Sequence, residues 1–149
     1  CNPATVVMSG YSMETFYKNL SEIPARNITV VIDACFSGGS HNGMLLKNMS
    51  PIFINTQKTK IKKENTSVFN SATANQVSTW YVEKGHSLLT YYYLLGMRGD
   101  ADANKDSKIT VGEMQYWIDD NVPYMARRLN NREQTPEIQG NPNKILIEY

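Results

Sequence analysis

A cysteine stands at the end of an apolar run in Ile28–Ser40, ITVVIDACFSGGS. The run Ile28–Ile32 is β-branched and reads as a buried parallel strand. Ser37, Gly38 and Gly39 force a turn just beyond its C-terminal end. In open α/β sheets, reactive groups collect at that edge. Cys35, with the carboxylate of Asp33 two residues before it and free backbone N–H groups at the turn, is a candidate nucleophile. Such a site needs a thiolate, a base that makes it and donors for the developing oxyanion. The competing reading is a buried structural thiol, and nothing demands a bridge to Cys1, the other cysteine.

A second stretch carries cation-binding chemistry. Asp102–Glu113, DANKDSKITVGE, fits the twelve-residue EF-hand loop. Asp102, Asn104 and Asp106 take positions 1, 3 and 5, and the Lys108 carbonyl takes position 7. Thr110 takes position 9 and Glu113 supplies the carboxylate at position 12. Ile109 at position 8 is apolar, as an inward anchor should be. Ser107 departs from the pattern at position 6, where Gly makes the turn. Oxygen donors at this spacing favour Ca2+ and argue against Zn2+. The competing reading is an acidic surface turn.

These residues must be positioned by surrounding elements. Ser12 caps a helix in which Met13, Phe16, Tyr17 and Leu20 recur at helical spacing, and Pro24 ends it. Ser40–Thr66, with Lys47, Lys58, Lys60, Lys62 and Lys63, reads as a long loop, with a helical turn at Met44–Met49. Ser67–Ala72 reads as a second strand and Ser71–Thr79 as a polar loop. Leu88, Leu89, Tyr92, Tyr93 and Leu95 mark a helix over Gly85–Arg98. Val111–Leu129 reads as a second long helix with Met114, Trp117, Ile118, Met125 and Leu129 inward, kinked or split by Pro123. Gln134–Asn143 reads as loop and Lys144–Tyr149, KILIEY, as a last strand. Three strands and three helices, mostly alternating, argue an α/β domain. So small a sheet is more at home as part of a larger one.

Bulk properties narrow the function classes. The 149 residues suffice for one domain, and 41% hydrophobic with 19% charged residues is ordinary for a globular chain. A net charge of +1 gives no general pull toward nucleic acid or anionic membranes, and no apolar run is long enough to span a bilayer.

DACFSG, Asp33–Gly38, resembles the nucleophile motif of caspase-like cysteine peptidases, nearest to their bacterial and metacaspase branches. Gly10–Met13 resembles the helix start before the nucleophile strand. Ser71-Ala72 with Asn75–Ser78 resembles the substrate-lining strand and loop. Gly85–Gly99 with the acidic stretch after it resembles the helix that follows. The resemblance implies a three-layer fold with a mostly parallel sheet flanked by helices, to which these residues supply about three strands and three helices. It implies a cysteine endopeptidase with Cys35 as nucleophile and its own N–H as one oxyanion donor. Asp33 would face the first specificity pocket and pair with a substrate Lys or Arg. Ser71, Gln76 and Ser78 would line the same groove, and Trp80 packs either against substrate or into the core. The lysines of the 41–66 loop become candidate self-cleavage points.

The resemblance also calls for a His about 50 residues before the nucleophile, and no His precedes Cys35. His41 reads as a loop residue and His86 as a helix-start residue. The start at Cys1 rather than Met fits a C-terminal part of a larger peptidase whose His lies on another segment or chain. Two alternatives stand beside the peptidase: a silent caspase-like domain, and a Ca2+-binding interaction module. Dimerisation through KILIEY is a further implication of the resemblance.

Overall fold

A computed structural model of the chain describes residues 11–34, 39–40, 43–44, 65–73 and 76–149. Cys35, His41, Asn75, the lysines of the 41–66 loop and the expected helical turn after Met44 lie outside the described residues. Among the described residues the protein is mixed α/β, with three α-helices and small sheets.

Helix α1, Met13–Glu22, starts where expected, with the Ser12 hydroxyl accepting the Thr15 N–H. Strand β1, Ile28–Ile32, follows and pairs in parallel with β4, Thr66–Asn70, with Val30 opposite Val68 and Val31 opposite Phe69. The two-residue strands β2, Gly39–Ser40, and β3, Gly43–Met44, pair antiparallel between them. Phe16, Tyr17 and Leu20 of α1 pack on Ile28, Val30 and Val68, one face of the sheet.

The third strand of this sheet is β8, Glu137–Gln139, antiparallel to β4 with Ile138 opposite Phe69. The sequence reading placed these residues in a loop. Three residues between Pro136 and Gly140 carry no periodicity, and their strand state comes from pairing across the sheet. The main sheet therefore has one parallel and one antiparallel pairing. Strand β4 is central, and both its faces are buried from Thr66 to Phe69.

The opposite face of the sheet is covered by helices. A turn with Gly85 at φ +68 joins β5, Trp80–Tyr81, to β6, His86–Ser87. Helix α2, Leu88–Leu95, follows, shorter than the expected Gly85–Arg98 because the hairpin takes its first residues and a π-type turn, Gly96–Asp100, its last. Strand β7, Lys108–Thr110, leads into α3, Val111–Asn130, one continuous helix with Pro123 inside it, so of the expected kink or split the split does not occur. Leu88, Leu89 and Tyr92 of α2 meet Val111, Met114, Ile118, Val122 and Ala126 of α3 in the main core. Each of the fully buried Leu, Val, Ile and Met side chains among them stabilises the fold by about 1.5–3 kcal/mol. Leu129, expected inside, is exposed, and Trp117 and Met125 are half-buried beside the core. Gly96 lets the two helices approach, since a Cβ there would stand 2.7 Å from the Met114 sulfur.

The last strand, β9, Ile145–Glu148, does not join the main sheet. It pairs antiparallel with β7, Ile147 opposite Ile109, and its residues Leu146 and Ile147 pack against the α2–α3 core. A string of edge-to-face rings, Tyr81, Tyr91, Tyr92 and Trp117, ties the β5–β6 hairpin to α3.

Candidate functional site at the end of the first strand

The site grows from the C-terminal end of β1. The parallel ladder continues one step past β4, where the Ser71 N–H donates to the Ile32 carbonyl at 2.9 Å. Next comes Asp33, whose carboxylate spans from the sheet to the start of α2. Its Oδ2 accepts from the Thr90 N–H at 2.9 Å, the Thr90 hydroxyl at 2.6 Å and the Ser87 hydroxyl. Ser87 is the N-cap of α2, yet its side chain makes no cap bond within the helix. Asp33 supplies that cap from another element, and the helix N-terminus favours its negative charge. Oδ1 of the same carboxylate is buried with no hydrogen-bond partner among the described residues.

The carbonyl of Ala34 lies within 3.4 Å of both the Ser71 and Ser78 hydroxyls, which also bond to each other. Ser71 is buried and Ser78 half-buried. Thus Asp33, Ser71 and Ser78, three of the residues assigned to substrate binding from sequence, gather around the strand end that leads to Cys35. Gln76 is positioned differently. Its amide exchanges two bonds with Thr135: Nε2 donates to the hydroxyl at 3.2 Å, and Oε1 accepts from the N–H at 2.7 Å. Both ends of the amide are thereby committed to holding the loop to the segment before β8.

Gln134 went unnoticed in the sequence. It is fully buried, its Nε2 donates to the Ser71 carbonyl at 2.9 Å, and its Oε1 accepts from the Thr79 N–H at 2.8 Å. It closes the polar loop between those residues. The Thr79 carbonyl in turn accepts from Leu88 N–H at 2.8 Å, joining the loop to α2. Trp80 is 49% exposed, which removes it from the core. It stands opposite Ser87 in the β5–β6 pairing, so its ring shares a face with the residue that bonds Asp33. His86, the next residue along β6, is exposed.

The acidic loop lies beyond the other end of α2. Asp102 accepts from the N–H groups of Asp106 and Ser107, at 3.2 and 3.0 Å. Asn104 Oδ1 accepts from Asp106 N–H and Asp106 Oδ1 from Lys108 N–H, at 2.9 and 3.0 Å. Lys105 and Ser107 take left-handed φ values of +61 and +65, so Ser107 makes the turn that Gly makes at position 6. Helix α3 begins at position 10 with a capping box: Glu113 N–H donates to the Thr110 hydroxyl, and Glu113 Oε2 accepts from Thr110 N–H. Ile109 is fully buried, as an anchor at position 8 requires.

Among the described residues no three His, Cys, Asp or Glu side chains are gathered tightly enough to hold a metal. Only Asp102, Asp106 and Glu113 of the loop are carboxylates, and Glu113 is turned to its cap. The turn conformation, the buried anchor and the helix start match the pattern expected of an EF-hand-like loop, and the Glu113 carboxylate is engaged in the helix cap.

The segment around β9 closes this loop from outside. The Lys144 and Pro142 carbonyls accept the first N–H groups of α3, from Val111 and Gly112, each at 2.9 Å. Tyr149 N–H donates to the Ser107 carbonyl at 3.0 Å, and its hydroxyl donates to the Met97 carbonyl. Burial, then Asp102 and Asp100, hold the Tyr149 phenol above the ordinary tyrosine value.

In comparisons with known proteins, no family model, no curated protein and no solved structure matches this chain.

Proposed function

We propose that this chain carries the nucleophile and first specificity pocket of a caspase-like cysteine endopeptidase that cleaves after Lys or Arg, and that it binds Ca2+ in the 102–113 loop. The observation that carries the reading is Asp33. It lies two residues before Cys35 at a strand end, with one carboxylate oxygen pinned and the other buried without a partner among the described residues. A buried carboxylate oxygen left unpaired is costly, and a substrate guanidinium or ammonium would satisfy it. Ser71 and Ser78 beside it, and exposed Trp80, would form the walls.

In this reading the Cys35 thiolate attacks the scissile carbonyl. The tetrahedral oxyanion takes the Cys35 backbone N–H as a donor. Collapse expels the amine of the leaving peptide, which takes up a proton from the base. Water then hydrolyses the thioester and frees the thiol. The base is a histidine contributed by another segment or chain, and the basic 41–66 loop is a substrate for self-cleavage. Asp102, Asn104, Asp106, Thr110, Glu113 and the Lys108 carbonyl would hold Ca2+, whose chemistry there is to bind the loop's charges together between α2 and α3. Pairing of two copies belongs to the same proposal only as an implication of the caspase-like reading. Strand β9 is already paired with β7 along one edge.

The test is turnover of fluorogenic peptides ending in Arg, Lys, Asp or Leu by the full protein, with and without Ca2+, beside Cys35→Ala. Cys35-dependent release after Arg and Lys supports the reading. Its absence under both conditions leaves a silent domain or a Ca2+-binding interaction module. Fragment masses that are identical in wild type and Cys35→Ala would remove self-cleavage.

A further inference from the structure

We propose that Ser87 and Thr90 are positioning residues for substrate selection: they clamp Oδ2 of Asp33 so that Oδ1 alone is presented to a cationic side chain of the substrate. The inference rests on the peptidase reading and extends it to two residues outside the motif at Cys35.

The geometry is one-sided. Three donors converge on Oδ2: the Ser87 hydroxyl, the Thr90 N–H at 2.9 Å and the Thr90 hydroxyl at 2.6 Å. None reaches Oδ1, which is buried with no partner among the described residues. A carboxylate rotates freely about its last bond unless its oxygens are held apart chemically. Here the N-terminus of an eight-residue helix holds one oxygen and stabilises the charge. The bonds span 54 to 57 positions in sequence, so they are fixed by the packing of β1 against α2 rather than by local chain geometry. Ser87 itself stands opposite Trp80 in the β5–β6 pairing.

A residue serving only as a helix cap would use either a neutral amide or a carboxylate equally well. Substitution of Asp33 by Asn therefore separates the roles. The Asn carbonyl takes the place of Oδ2 and keeps the cap, while its NH2 turns donors toward the position a cation would occupy.

The experiment uses the full protein and two probes. Benzamidine, a non-cleaved cation, gives a Kd by calorimetry, and an arginyl peptide coumarin amide gives KM and kcat. Asp33→Asn is expected to stay folded, with a melting temperature lowered only by the lost helix-end charge, and to lose benzamidine binding. Thr90→Val removes one charge-assisted bond and keeps the N–H. It is expected to weaken benzamidine and raise KM about tenfold, with the change falling in KM rather than kcat. Thr90→Ser restores both, and Ser87→Ala moves in the direction of Thr90→Val. If Thr90→Val fails to fold, Ser87→Ala against Thr90→Ser carries the comparison.

The clamp is overturned if folded Thr90→Val and Ser87→Ala bind benzamidine as wild type does, or if they lose leucyl and arginyl turnover alike. It is also overturned if wild type cleaves after Arg yet binds no benzamidine. Benzamidine binding that responds to these variants without any Cys35-dependent turnover keeps the clamp and removes the peptidase. Neither binding nor turnover in wild type removes both.

Discussion

Gln134 Oε1 lies 2.8 Å from the Thr79 backbone nitrogen, in a position where neither residue is reached by solvent to any extent that matters. The amide's other end takes the Ser71 carbonyl, so one side chain satisfies two buried backbone groups of the loop that borders the strand end. Gln134→Leu, near in volume, leaves both groups unpaired. It is expected to cost about 2–6 kcal/mol, one to three per lost partner, measured by urea denaturation. A loss under 0.5 kcal/mol would show that the loop does not depend on this side chain.

Glu113→Gln separates the helix cap from the metal. Glutamine serves at the third position of a capping box, so the variant is expected to match wild type in stability without Ca2+ to within about 0.5 kcal/mol. Wild type is expected to gain about 2.7 kcal/mol at Ca2+ near 100 times its Kd. The variant is expected to gain little, since the carboxylate at position 12 is gone. Thermal unfolding with Ca2+, and with excess chelator, reads both quantities.

Ser107 holds φ at +65, a conformation in which a Cβ costs energy. Ser107→Gly is expected to stabilise the chain by about 0.5–1 kcal/mol without metal, after the glycine's extra unfolded-state entropy is counted. Because the same turn frames the proposed cation ligands, the Ca2+-loop reading expects Ca2+ affinity to rise too. A calorimetric titration of both proteins checks it, and an unchanged or weaker Kd would count against the Ca2+ loop.

Lys144 sits at the opposite end of the sheet from Asp33. Its ammonium donates to the carbonyls of Ile28 and Asn65 at 3.0 and 2.8 Å, bolting the starts of β1 and β4 together. Lys144→Met is expected to cost about 1–3 kcal/mol at pH 7 through those carbonyls. Burial lowers the Lys144 pKa from 10.5. The unfolded chain therefore holds more protons at this site between the folded and unfolded pKa values. Stability from this group rises as pH climbs through that window. The gap between wild type and Lys144→Met should widen as pH approaches 10.5 from below, and a narrowing gap would contradict the burial.

Much of this architecture is legible in the sequence where local rules act alone. Ser12 announces its helix, ITVVI its strand, and the spacing from Asp102 to Glu113 a loop leading into a helix at Val111. Pairing is less legible. KILIEY reads as a strand, but nothing in its alternation says that Lys108–Thr110, rather than the main sheet, is its partner. Strand β8 is three residues long and is specified only by the edge of β4 that it completes. The site divides the same way. Asp33 stands out by its place before Cys35, whereas Ser87, Thr90 and Gln134 are ordinary polar residues until the packing brings them onto a carboxylate or a loop.

The pairing of β7 with β9 sets an order of events during synthesis. The 102–113 loop emerges from the ribosome before Pro142–Tyr149, which supply its cross-strand partner, two caps on α3 from the Pro142 and Lys144 carbonyls and the bond to the Ser107 carbonyl. Until those residues arrive, Ile109 has no strand to lie against and the acidic turn has one side open. A nascent chain halted ahead of β9 would thus carry the whole acidic turn and still lack the strand that frames it, which makes the ordering of this loop a late step in folding.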